Sequence, residues 1–140
     1  MSKFDKAIRI PCKLSDNFFK YWLTFLTPIT HLTPKVIDTA ACLLRHRHEL
    51  SLVISDDDIL NKYLMSVELR EKILKELEIT LPNYYMMLDK LRKGNFLVDN
   101  KINPKFIPPV KQDANNFTLL LYFDLVDVKE TESDLQESVN

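Results

Sequence analysis

Glycine is almost missing from this chain: Gly94 is the only one in 140 residues. A phosphate loop, a nucleophile elbow and a dinucleotide fingerprint all need several glycines where the backbone turns sharply or meets a ligand. Their absence excludes those enzyme classes, and the chain reads as a non-enzyme without a cofactor. Cysteine is scarce too. Cys12 and Cys42 stand far apart with no CxxC companion, which argues against a disulfide framework or a zinc knuckle and makes reduced thiols the expectation, as in a cytosolic setting. No apolar run reaches membrane-spanning length, and no basic segment leads into a cleavage site. A soluble, intracellular protein with no membrane partner is therefore expected. Neither sign of charge dominates, since the formal net charge is -1. The last twelve residues, KETESDLQESVN, set four acids (Glu130, Glu132, Asp134, Glu137) against Lys129, and without them 18 basic residues face 16 acidic ones. A DNA-binding domain more often shows a clear basic excess, so the balance argues mildly against nucleic acid as the main partner.

Apolar residues make up 46% of the chain, including eight Phe, five Tyr and one Trp. That suffices for one core and hardly for two. A single domain is expected over residues 1–128, with an N-terminal extension (1–30), a helical core with wing (31–110) and a C-terminal strand (117–128). An acidic tail, 129–140, follows. Ala7 to Pro11 alternates briefly and ends at proline, which predicts a short edge strand. Ser15 or Asp16 then caps a helix carrying Phe18, Phe19, Trp22, Leu23, Phe25 and Leu26 on one arc, stopped by Pro28. Thr33-Pro34 opens a second helix to about Glu49, with Val36, Ile37, Ala40, Leu43 and Leu44 inward. Ser55-Asp56-Asp57-Asp58 has capping-box spacing and opens a third, built on Ile59, Leu60, Tyr63 and Leu64. Ser66 caps VELREKILKEL, in which Val67, Leu69, Ile73, Leu74 and Leu77 face in and Glu76 is among the residues facing water.

A turn at Glu78-Ile79-Thr80 leads into LPNYYMMLDKLRK, and Gly94 falls just past its end, where a left-handed residue is most useful. Phe96-Leu97-Val98, the turn Asp99-Asn100, and Lys101-Ile102 form a small hairpin. FTLLLYFDLVDV, 117–128, reads as a long strand apolar on both faces. Phe117, Leu119, Leu121, Phe123 and Leu125 line one face, and Leu120, Tyr122 and Val126 line the other. A small domain covers only one such face, so Leu120, Tyr122 and Val126 become interface candidates, and an exposed edge invites strand addition from another chain. The fold class is mainly α with a small β part.

Helix, three-residue turn, helix, glycine and two-stranded wing make residues 69–104 resemble a winged helix-turn-helix. Leu77, Ile79, Tyr84, Met87, Leu88 and Leu91 match its buried positions, while Glu78 stands where that family usually has glycine. The core register leaves Leu81, Pro82, Asn83, Tyr85, Met86, Asp89, Lys90 and Lys93 outward. Base reading needs Arg, Lys, Asn, Gln or Ser at the front of that helix, and only Asn83 qualifies. Lys90, Arg92, Lys93, Lys101 and Lys105 could line one rim of the wing and touch phosphates without sequence preference. Tyr and Met suit a protein interface better. A third reading packs Tyr85 and Met86 under the N-terminal helix.

For metals the pattern is thin. In Arg45-His46-Arg47-His48 the two imidazoles diverge on a helix, Cys42 and His46 share a face, and His31 is the only other imidazole, so no metal is expected. The DDD run at 56–58 lacks the glycine and terminal glutamate of a calcium loop. The layout of residues 30–125, with the helix TPKVIDTAACLLRHRHELS and the wing NKINPKFIPP, resembles small winged-helix-type proteins encoded near structural genes of crAss-like tailed bacteriophages. That resemblance implies a virion component, a ring or connector protein between portal and tail whose partners are other copies of itself and neighbouring virion proteins. The competing class is a winged-helix DNA-binding protein, a phage or plasmid regulator or replication protein.

Overall fold

Local start signals decide most of the helices. In the computed structural model, which describes residues 7–111 and 114–125, α1 spans Asp16–Phe25, α2 is a four-residue turn Thr27–Thr30, and α3 runs Pro34–Ser51. Three more follow: α4 (Asp57–Leu64), α5 (Val67–Leu77) and α6 (Leu81–Lys93). The Asp56 carboxylate accepts from the amides of Asp58 and Ile59 at 2.9 and 3.1 Å, and Ser66 Oγ accepts from Leu69 N at 3.2 Å, so each cap satisfies amides that the helix leaves orphaned. Thr33 precedes Pro34 without a side-chain cap bond, and there the fixed φ of proline sets the first turn. Pro28 ends α1 but also opens the short α2, which closes on His31 in the left-handed region at φ 57°.

α3 is the central helix. Val36, Ile37, Ala40, Ala41, Cys42, Leu43 and Leu44 are all buried, and α1, α4, α5 and α6 pack around it. The small residues Ala40 and Ala41 let α1 approach with Phe19 and Leu23. Trp22 Nε1 donates to the Phe106 carbonyl at 2.7 Å, which ties α1 to the 3-10 turn Pro104–Phe106 after the hairpin. The hairpin pairs β1 (Leu97–Val98) with β2 (Lys101–Ile102), antiparallel, with Leu97 opposite Ile102. Asp99 and Asn100 both take positive φ, 54° and 60°, the pattern of a two-residue hairpin turn that matches the strand twist.

Four sequence expectations are corrected. Ala7 to Pro11 is exposed and forms no strand. Residues 117–125 likewise form no strand: Phe117 packs edge-on against Phe18 and Trp22, and the chain beyond is exposed to Leu125 except at half-buried Leu119. Alternation states which residues would share a face, but a strand exists only where an edge is offered, and among the described residues the sheet is two residues deep. Val126 and the tail lie outside the described residues. Ile59 and Val67 are exposed rather than inward, as is Phe25, because each stands near a helix end beyond its neighbour's reach. Gly94 has φ -85°, and the left-handed residue is Asn95 at φ 62°.

Gly94 is needed for room instead. A methyl there would stand 3.0 Å from Leu32 Cδ2 and 3.3 Å from the Thr30 carbonyl oxygen. Gly94→Ala is expected to lower stability by about 1 kcal/mol in urea denaturation, because crowding of this kind outweighs the smaller loss of unfolded-state entropy. An unchanged midpoint would mean that Leu32 gives way freely.

Candidate functional site

The front of α6 is built by its own cap and its core register. Thr80 Oγ1 accepts from Asn83 N at 3.4 Å, and Pro82 lies in the first turn. Tyr84, Met87, Leu88 and Leu91 are buried. A helix advances about 100° per residue, so Tyr85 and Met86 turn away from that line, and they are 48% and 46% exposed. α1 packs mainly on α3, and Tyr85 meets Arg70 and the Tyr84 ring. Pro82 and Asn83 are exposed beside Tyr85 and Met86, and Leu81 is half-buried.

Tyr85 does not swing freely. Arg70 Nη1 donates to its hydroxyl at 2.9 Å, and the guanidinium carbon lies 5.9 Å from the ring centre. Next to it a cleft of about 200 Å³ is floored by Leu64, Tyr84 and Leu88 and edged by Arg70 and Arg92. Burial pushes the Tyr84 phenol up to about 12, with Cys42 adding to the rise and the nearby Arg70 charge acting to lower it. The folded state therefore holds this proton above the ordinary phenol value of about 10. The corresponding stability is present below pH 10 and is lost as pH rises through the folded value. Thermal melts between pH 9 and 12 should show wild type losing stability faster than Tyr84→Phe, and parallel curves would mean that the phenol is solvated.

Of the cations considered for nucleic acid, Lys90, Arg92, Lys93, Lys101 and Lys105 are all exposed. Acids accompany several of them: Asp89 lies 3.5 Å from Lys93 and 4.0 Å from Arg92, and Asp58 lies 3.7 Å from Lys101. Leu120 and Tyr122 are exposed, on an unpaired segment and not on a strand.

A second cluster centres on Arg45. Its guanidinium pairs with Asp16 of α1 and Glu76 of α5, and at 3.0 Å with Glu49 of α3. On Glu76 Oε2 the Cys42 thiol donates at 3.3 Å, and His46 Nε2 lies 3.0 Å away. Burial pushes the Cys42 thiol well up, and its bond to Glu76 adds to this. For Glu76 burial acts upward as well, but the hydrogen bonds from His46 and Cys42 and the charges of His46 and Arg45 outweigh it and hold the carboxyl below its ordinary value. His31 takes no part. Spacing along α3 placed Cys42 and His46 on one face, but Glu76 arrives from another helix, where its register marked it as a solvent residue. Searches against known protein families, curated proteins and solved structures found no match to this chain.

Proposed function

We propose that this chain is a non-enzymatic assembly protein that makes protein–protein contacts through the front of α6, on a winged helix-turn-helix-like scaffold formed by α5, α6 and the β1–β2 hairpin. The observation that carries this reading is the pair Tyr85 and Met86, two large apolar side chains displayed at the helix front, one of them held by Arg70. Aromatic residues, Met and Arg are the types enriched at the centre of protein interfaces. The cleft beside Tyr85 offers a partner side chain an apolar floor with cationic edges. Exposed Leu120, Leu121, Tyr122 and Phe123 add a second apolar surface. If the resemblance to crAss-like phage proteins holds, such contacts would be made in a virion, in a ring or connector between portal and tail, with copies of itself and neighbouring virion proteins as partners. Light scattering of the purified protein, alone and with the products of neighbouring genes, tests this. Larger assemblies are expected, and a chain that stays monomeric and binds none of them overturns the reading.

Asn83, exposed at the helix front, favours the alternative of a winged-helix DNA-binding protein. With acids set against Lys93 and Lys101, duplex binding is expected to be weak and indifferent to sequence, on the order of 10⁻⁴ to 10⁻⁶ M at physiological salt. A fluorescence anisotropy titration that finds tight binding to one sequence, lost in Asn83→Ala, would promote the regulator over the assembly protein.

A further inference from the structure

We infer that Cys42, His46 and Glu76 form a zinc site that staples α3 to α5, a property independent of the assembly role. A sulfur, an imidazole nitrogen and a carboxylate oxygen converge here, all within 4.8 Å of one another. Tetrahedral zinc holds its ligands at about 2.0–2.3 Å, which puts neighbouring donors roughly 3.2–3.8 Å apart. Cys42 Sγ and His46 Nε2 stand 3.3 and 3.0 Å from Glu76 Oε2, close to those edge lengths before any adjustment. The frame is rigid where it matters: Cys42 and His46 are buried one turn apart on the central helix. Glu76, the more exposed member, leaves a side from which an ion and a water as fourth ligand enter.

Charge supports the same assignment. Asp16, Glu49 and Glu76 surround Arg45, with His46 also set against Glu76, so acids outnumber cations in the cluster. Arg45 Nη2 now stands on Glu76 Oε2 and 3.2 Å from His46 Nε2, so zinc would displace that arm of the guanidinium from both ligands and leave it on Asp16 and Glu49. On binding, the Cys42 S–H bond breaks, its proton leaves to solvent and an S–Zn bond forms. His46, whose Nε2–H bonds to Glu76 in the free site, releases that proton to solvent as well and binds through the lone pair it leaves on Nε2, and no electrons change hands. The thiolate and imidazole select zinc over magnesium or calcium, which prefer all-oxygen sites.

Cobalt(II) reports the site directly. Titrating the reduced, chelator-treated full chain with Co²⁺ is expected to give a thiolate-to-metal charge-transfer band and visible bands of a four-coordinate ion, saturating at one equivalent, with Zn²⁺ displacing both. The bands should survive Cys12→Ser, which removes the exposed thiol, and vanish in Cys42→Ser. Because Cys42 lies in the core, circular dichroism must show that variant helical, and Glu76→Gln provides a second probe at a more exposed position. There the affinity is expected to fall by more than about tenfold, the range in which even groups that only support a ligand act. Absence of the bands at millimolar Co²⁺ would overturn the site. So would bands that follow Cys12 instead of Cys42, or an affinity unchanged in Glu76→Gln.

Discussion

Replacing Tyr85 and Met86 together by alanine is expected to leave the domain folded and to weaken its association by about 30-fold or more. Both residues are about half exposed on α6, so truncation removes much less buried area than at a core position, and exposed positions usually change stability within about 0.5 kcal/mol. Tyr84 and Met87, their sequence neighbours, are buried. Truncating a buried aromatic costs roughly 3–5 kcal/mol, a large share of what a small domain has. At an interface the order reverses. A hot-spot residue is worth about 2 kcal/mol or more, which corresponds to about 30-fold in affinity. Removing Tyr85 also leaves the Arg70 guanidinium without its hydroxyl partner and cation–π contact, and frees it to rearrange at the rim of the cleft. Thermal melts and pull-downs with partner proteins on the one double mutant separate the two effects. A melting temperature lowered by much more than the surface scale would show these side chains to be structural, and full retention of binding would remove this face from the assembly reading.

Why this face was legible in the sequence is a matter of period. Tyr84, Met87, Leu88 and Leu91 recur at helical spacing, so the inward line follows from the residues themselves and everything between them must point out. The Ser66 cap was legible for a similar reason, since it bonds to an amide three positions on, a purely local act; at the third helix Asp56 caps in place of Ser55, and Thr80, read only as part of a turn, caps α6. Asp99-Asn100 was legible because the turn's conformation restricts its residues. Glu78 shows the limit of such rules. It takes φ 53° and ψ 46°, the left-handed conformation that a glycine would adopt more easily, and the turn forms nonetheless because the helices on either side pack. What stayed hidden depends on distant partners. Whether 117–125 becomes a strand rests on an available edge, and the strand-like alternation of its residues carries no information about that. Asn95 instead of Gly94 takes the left-handed position, and Gly94 serves for room against Leu32 and the Thr30 carbonyl, which come from a distant part of the chain. The Arg45 cluster is the extreme case, since it joins Asp16, Arg45 and Glu76 from three helices.

Arg45→Ala should be the most costly single substitution outside the apolar core, lowering stability by about 2–3 kcal/mol. The side chain is only 19% exposed and holds three carboxylates, on α1, α3 and α5. Without it Asp16, Glu49 and Glu76 lose their shared cation, and only His46 remains beside Glu76. Breaking a fully buried ion pair costs roughly 3–5 kcal/mol, mostly through the charge left behind. The carboxylates here are between a third and about half exposed, so water screens part of that penalty and the lower figure applies. Arg45→Lys should recover little, because one ammonium cannot spread its donors over partners on three helices as the guanidinium fork does. Arg45→Ala with Glu76→Gln should recover more, since removing one stranded charge relieves both the repulsion and the desolvation. Neighbours in one network commonly couple by 0.5–3 kcal/mol. Urea melts at neutral pH measure all three variants, and added salt should narrow the gap to wild type by screening the three acids. A loss below about 0.5 kcal/mol for Arg45→Ala would mean that the carboxylates disperse into solvent once released and that the cluster does not hold α1 and α5 to the central helix.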